Sequence, residues 1–311
     1  MQPKYVVPVV ALLASCSLVS PRVTHEVSKP EVREVPSSAR ATADTGLRKR
    51  VLVLPFIDAT GGRSEKGAQV ARDAFIRALK KTDEVVVVSN DDFPKPVQTY
   101  LKNGEYDLEG MAKTANAMGL AGIIEGKVQS LHAQRVGDAV GVVREIKARI
   151  SASVGLRMVN TKNGTIAINE NRTADVEDST TRVGERALTD RMLEEDPKLI
   201  ETVITSAFAS TIPRLTQAMD KLSWEGRVAM VKGDRVYLNA GRISGINIGD
   251  ILKITEEGED VYDPDSGALI GRVPGRLKGT VEVVSYFGKD GSIGLVHSGS
   301  GFRENDHVEL Y

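Results

Sequence analysis

Cys16 is the only cysteine in the chain, and its surroundings point to acylation rather than to redox or metal chemistry. It follows Leu13-Ala14-Ser15, and behind those residues lies the apolar run Tyr5 to Leu13, with Lys4 ahead of it. Two small residues before the thiol let an extended backbone enter a peptidase beside a lipidated sulfur. The expected chemistry is a thioether between Cys16 and a diacylglyceryl group, then cleavage that leaves Cys16 first. A transmembrane helix needs about 20 apolar residues, and this run is about half as long and contains Pro8. Residues 1–16 therefore read as a signal segment and are set aside from the fold. An ordinary secretory signal cleaved nearby, or an uncleaved anchor, are the alternatives. With one cysteine, no disulfide can close inside the chain.

The other constellations weaken on inspection. Gly62 and Gly67 have the interval of a phosphate loop between a strand and a helix, but Ala68 and Gln69 stand where a lysine and a hydroxyl residue belong. A βα turn is the simpler reading. The four histidines, His25, His132, His297 and His307, show no metal-ligand spacing; His297 and His307 could meet only across adjacent barrel strands. Asp263-Pro264-Asp265-Ser266-Gly267 opens like a calcium loop, yet its twelfth position is Pro274 rather than Glu. Glu194-Glu195-Asp196 suits the start of a helix, where carboxylates meet the positive dipole end. No serine, threonine or cysteine has a paired base in a recognisable motif. The expectation is a protein that is not an enzyme, with no catalytic residue, cofactor or metal, and with Cys16 as its one site residue, for lipid attachment.

The elements that would carry any surface follow from periodicity. The chain has 311 residues, 41% hydrophobic and 27% charged, with a formal charge of −1; that balance gives no basic footprint for nucleic acid. Residues 17–49 hold Pro21, Pro30 and Pro36, many charges and no aromatic residue, and read as a disordered tether. Val51 to Phe56 suits a buried strand, Ser64 to Lys81 a helix, and Val85 to Val88 a second strand. Asp107 would cap a helix over Leu108 to Met118, ended by Gly119, before a third strand from Gly122 to Leu131. Glu145 to Met158 then alternates strictly, and Asn163-Gly164 turns it into a partner from Thr165 to Ala174. Asp196-Pro197 opens one long helix that Pro213 should kink. Six short strands after Trp224 read as a small barrel. The fold class expected is α+β: an α/β sheet domain over 50–222, then an all-β SH3-like barrel over 223–311, folding separately about a boundary near Ser223 to Gly226.

The Leu13-to-Cys16 tetrapeptide resembles the lipobox of bacterial lipoproteins, which implies attachment to a membrane through acyl chains, and Ser17 after it leans toward the outer membrane. Residues 50–222 resemble the family that includes the curli secretion lipoprotein CsgG, with the TolB N-terminal domain and penicillin-binding-protein activators as topological relatives. Val51-Leu52-Val53-Leu54-Pro55-Phe56, Ala121 to Gly126, and Val154 to Asn160 with Asn163-Gly164-Thr165 carry that likeness. The last part is similar to the C-terminal domain of the flagellar assembly protein FlgT, through Val236 to Gly241, Ile248-Gly249-Asp250 and Gly279 to Val284. FlgT's additional N-terminal domain is absent here, and CsgG lacks the barrel.

A CsgG-type pore needs two amphipathic hairpins per subunit. Leu131 to Val143 reads as too short for one, and Asp175 to Glu195 shows many charges and no strand alternation, so a non-pore relative is expected. The resemblances imply a non-catalytic, outer-membrane-anchored periplasmic lipoprotein that assembles an envelope complex, either a flagellar basal body or a surface-appendage or secretion apparatus. The alternative is a regulator that docks on a cell-wall synthase. Its partners would be the membrane and envelope proteins, with a homo-oligomer possible, and neither nucleic acid nor a small-molecule substrate. Lys147, Arg149 and Arg157 on the polar face of the alternating strand would suit a subunit seam. Reversing Arg149 and Arg157 together should then weaken association without unfolding the domain.

Overall fold

The computed structural model describes residues 46–62, 64–137, 146–180, 196–267, 269–273 and 275–311. Cys16, the segment 17–45 with His25, and Glu194-Glu195 lie outside the described residues. At the start of the described residues Leu47 packs on the barrel core and the Lys49 N–H donates to the Glu84 carbonyl at 2.9 Å.

Strand β1 (Lys49–Val53) pairs in parallel with β3 (Val85–Val88) on one side and with β6 (Gly122–Gly137) on the other. The two-residue β2 (Ile57–Asp58) also joins β6. Helix α1 (Glu65–Lys80) connects β1 to β3, and α2 (Leu108–Ala117) connects β3 back across β1 to β6. The two crossovers run in opposite directions along the sheet, so right-handedness puts their helices on opposite faces. Asp107 caps α2 as expected, accepting from the Gly110 N–H at 2.9 Å. Gly119, at φ 72°, ends it, with the Leu120 N–H returning to the Ala115 carbonyl at 3.0 Å.

β7 (Ile146–Asn160) and β8 (Ile166–Thr180) extend the sheet antiparallel, giving the order β3-β1-β6-β7-β8. Two strands run well past their expected ends. β6 continues past Leu131 to Gly137, and β8 past Ala174 to Thr180, so the expected lack of strand alternation after Asp175 is corrected for 175–180. The cause is cross-strand register, which carries the ladder on through Ser151↔Asp175 and Arg149↔Glu177. Along this extension Leu131, Ile150 and Ala152 are buried in the same core as the helices, with Ala133, Ala174 and Val176 packed against it. These six apolar side chains therefore face protein.

α3 (Pro197–Ala209) and α4 (Ile212–Met219) return over the face that α1 covers. The expected single kinked helix is two helices. Ser210 and Thr211 hydroxyls back-bond to the Ala207 and Phe208 carbonyls at 2.7 Å, and Pro213 falls in the first turn of α4, where a missing N–H costs no bond. Phe56, Phe75 and Phe208 meet at centroid distances of 4.2–6.4 Å over Gly126.

The remaining strands are β9 (Gly226–Lys232), β10 (Arg235–Leu238), β11 (Ile251–Thr255), β14 (Leu277–Phe287), β15 (Gly291–Gly299) and β16 (His307–Leu310). They close a six-stranded barrel in the order β10-β15-β14-β11-β16-β9 around Val228, Val236, Leu238, Leu252, Ile254, Val281 and Val308. A hairpin of β12 (Glu259–Tyr262) and β13 (Leu269–Val273) pairs off the barrel and was not expected. The molecule is thus mixed α+β with a small closed barrel at its C-terminal end. Among the described residues no helix is long and apolar enough to cross a membrane.

A methyl group at Gly126 would fall 2.6 Å from the Phe56 ring and 2.9 Å from Phe208. Gly126→Ala should therefore destabilise the chain by about 1–3 kcal/mol, read from its denaturant midpoint. An unchanged midpoint would contradict the ring packing.

Candidate functional site

On the face of the sheet that α2 covers in part, and beyond that helix, β6, β7 and β8 present successive rows of polar side chains. Register sets Glu125 beside Arg157 and Asn169, Lys127 beside Gly155 and Asn171, and Ser151 beside Asp175. Asn169, Asn171, Thr173 and Asp175 are exposed. Such rows are the expected outward half of period-2 alternation. What alternation does not specify is the cleft at their inner end.

Glu125 sits there, 2% exposed near the start of β6. A buried carboxylate is costly unless paired and hydrogen-bonded, and this one is both. Arg157 Nε and Nη2 donate to its Oε2 at 2.7 and 2.5 Å, and the Tyr106 N–H donates to Oε1 at 3.1 Å. The third Arg157 nitrogen, Nη1, reaches Glu105 Oε2 at 3.3 Å, while Lys127 Nζ donates to Glu105 Oε1 at 3.1 Å. The Lys127 hydrogen bond, followed by the Arg157 charge, holds the Glu105 carboxyl below its ordinary range. Glu105 belongs to a small hairpin of β4 (Leu101–Lys102) and β5 (Glu105–Tyr106), turned by Asn103-Gly104 at φ 52° and 78°. Both positive angles are what a two-residue hairpin turn requires.

Beyond this pair of cations lies a cleft of about 250 Å³, lined also by Gln129, Gly155, Asn169 and Asn171. Gly155 makes room for an amide pair on its floor. A Cβ there would stand 2.8 Å from Gln129 Nε2 and 3.1 Å from Asn171 Oδ1, which bond each other at 2.8 Å. The arrangement offers two cations, two carboxylates and three amides, and so suits a small polar group held by hydrogen bonds and charge.

Arg157 therefore does not stand free on a polar face as the seam reading requires. It neutralises a buried carboxylate, so its reversal would not leave the domain intact. Arg149 is different: it pairs with Glu177 across the strands in the open. Lys147's side chain and the segments 138–145 and 181–195 lie outside what is described.

The remaining expected residues resolve into structure. Asp58 accepts from the Thr60 N–H at 2.7 Å and the Ser64 N–H at 3.2 Å, so a carboxylate occupies the position that a phosphate would take beside Gly61-Gly62. Asp263 accepts from the Asp265 and Ser266 N–H groups at 3.0 and 2.7 Å, closing its own turn. Asp196 caps α3 through the Lys198 and Leu199 N–H groups. His297 and His307 cannot meet across neighbouring strands, because β15 and β16 are not adjacent in the barrel. Instead His307 Nδ1 lies 3.3 Å from Glu225 Oε2, and Lys162 Nζ lies 2.5 Å from Glu225 Oε1. Among the described residues no group of three or more His, Cys, Asp or Glu side chains could hold a metal ion.

Sequence reasoning missed Glu105, Glu125, Lys127, Gln129, Asn169 and Asn171. The available signal was Glu125 itself, a charge inside the apolar run Gly122-Ile123-Ile124-Glu125-Gly126, where an ion survives only with a partner.

No family model and no curated protein matches the chain. Several solved structures are similar in part. The hypothetical protein CT253 from Chlamydia trachomatis aligns at 14% identity and a TM-score of 0.33, over 54% of this chain and 95% of its own. A putative lipoprotein from Caulobacter crescentus aligns at 14% identity and 0.28, over 54% and 90%. TolB from Acinetobacter baumannii aligns at 11% identity and 0.28, over 79% of this chain and 46% of its own. Likeness at this level assigns neither family nor activity.

Two outcomes follow. Arg157→Gln should cost about 2–3 kcal/mol, below the range for fully buried pairs because the guanidinium is partly wet, while Arg149→Gln should shift the denaturant midpoint far less. Equal shifts would contradict the buried pairing. For Glu225, burial alone would raise the pKa, but the His307 and Lys162 hydrogen bonds outweigh it and hold it at about 2, against an ordinary 4.5. A folded pKa below the unfolded one contributes stability that is full above about pH 4.5 and lost as pH falls toward 2. The acid limb of the stability profile should be shallower in Glu225→Gln across that window, and an unchanged limb would contradict the assignment.

Proposed function

We propose that the chain is a non-catalytic lipoprotein of the bacterial envelope, anchored through Cys16 at the periplasmic face of the outer membrane, and that it acts by binding. Its role in this reading is assembly of an envelope complex, either a flagellar basal body or a surface-appendage or secretion apparatus. The observation that carries it is the placement of Cys16 behind Leu13-Ala14-Ser15, at the end of a run too short to span a bilayer. Stable anchoring takes two acyl chains rather than one, and a diacylglyceryl thioether supplies two at a single residue. The likeness of residues 50–222 to the CsgG and TolB N-terminal type, and of the barrel to the C-terminal domain of FlgT, gives the assembly role its direction. An open polar face with a cleft between charged side chains is compatible with binding. Leu131, Ile150 and Ala152, buried in the helical core with Ala133, Ala174 and Val176 against them, support a reading in which this part of the strands does not line a pore.

Cys16→Ala should abolish labelling by a metabolic fatty-acid probe and shift the protein out of the outer-membrane fraction. Equal labelling of parent and variant would overturn the anchored reading.

A further inference from the structure

The Lys127 and Arg157 side chains converge on one carboxylate, and that carboxylate belongs to the least anchored element near them. Lys127 rises from β6 and Arg157 from β7, two central strands of the sheet, and Arg157 is further locked by buried Glu125. Glu105 instead stands on the β4–β5 hairpin, which pairs only with itself through Leu101↔Tyr106 and Lys102↔Glu105. An isolated two-stranded ribbon has marginal stability. The hairpin is tethered at its base by the Tyr106 N–H to Glu125 and by the Asp107 N–H to the Tyr100 carbonyl at 2.9 Å. The Glu105 side chain is half-exposed, so it can leave while Tyr106 stays.

We propose that Glu105 occupies a carboxylate-binding subsite on the open sheet face, and that a peptide carboxylate, from an acidic side chain or a chain terminus, displaces it when a partner binds. Charge supports this. With Glu105 in place the cluster Glu105, Glu125, Lys127 and Arg157 is neutral; without it one positive charge is left facing the cleft, and a ligand carboxylate restores neutrality. The rest of the cleft suits the remainder of a peptide. Gln129, Asn169 and Asn171 carry amides that can pair with peptide N–H and C=O groups, and the missing side chain at Gly155 lets the Gln129–Asn171 pair lie close against the sheet. Bidentate or paired cation contacts to a carboxylate are the stronger kind of hydrogen bond. This inference deepens the binding reading above and rests on it, but it does not depend on acylation of Cys16.

The test is a fluorescence-anisotropy titration of the full chain in detergent micelles with three labelled peptides. One is Gly-Gly-Glu-Glu with a free C-terminus, one is the same peptide amidated, and one is amidated Gly-Gly-Gln-Gln, which has no carboxylate. An internal competitor lowers apparent affinity by the fraction of time the site is free, so Glu105→Ala should bind the carboxylate peptides about 10-fold tighter than the parent chain. Glu105→Gln keeps the side-chain volume and should do the same, with circular dichroism confirming the fold of both. Adding Lys127→Ala to Glu105→Ala should remove the gain. Equal binding of the free and amidated Glu peptides assigns the site to side chains, and binding of the free form alone assigns it to a terminus. No gain in either Glu105 variant, a gain that survives Lys127→Ala, or equal binding of the carboxylate-free peptide would overturn the proposal. Membrane retention is unaffected by each of these outcomes, so failure here and failure of the anchored reading are separate results.

Discussion

A carboxylate buried in the central strand of the sheet constrains everything around the cleft. Glu125 lies in a run whose Ile123 and Ile124 fill the cores on the two faces of the sheet, and an unpaired charge at that depth would be untenable. Its pairing dictates that Arg157 lie directly opposite on β7, and register then places Gly155 beside Lys127 two residues further on. The same carboxylate takes the Tyr106 N–H, which fixes the base of the β4–β5 hairpin and presents Glu105 to the two cations. The neutral floor of the site and its covering hairpin therefore share one electrostatic cause.

A second polar contact joins the α/β part to the barrel. The last carbonyls of α2 have no intrahelical partner and carry the negative end of the helix dipole. Arg227 from β9 donates twice to the Asn116 carbonyl, at 2.9 and 2.6 Å, and Asn239 and Arg50 each donate to the Met118 carbonyl at 3.0 Å. The barrel thus completes the C-terminal cap of a helix from the other part. Close by, Glu225 gathers Lys162 and His307. These contacts are directional and buried, so they orient the barrel on the sheet more sharply than an apolar seam of equal size would.

Local signals were the legible ones. Asp107, Gly119, Asp196 and the Asn163-Gly164 turn act at the positions read from sequence, because caps and tight turns are decided by a few neighbouring side chains. The runs Arg235 to Leu238, Ile251 to Thr255 and His307 to Leu310 are strands with the bounds expected of them. What went unread is decided by distant partners. β8 continues through Asp175 and Glu177 because Ser151 and Arg149 lie opposite, although the charges there read as a break in strand alternation. The helix break at Ser210-Thr211 comes from two hydroxyls back-bonding to carbonyls, one turn before the proline expected to cause it. The cleft was hidden for the same reason: Glu105, Glu125 and Arg157 are far apart in sequence, and only strand register brings them together.

The central claim is that the open polar sheet face is the surface through which this chain meets its partners. The most direct measurement is photo-crosslinking in intact cells, with a benzophenone side chain placed at Asn169 on that face or at Gln69 on the exposed side of α1, both exposed positions. The account expects discrete higher-mass adducts from Asn169 and none from Gln69. Adducts of the same pattern from both positions, or from Gln69 alone, would contradict it.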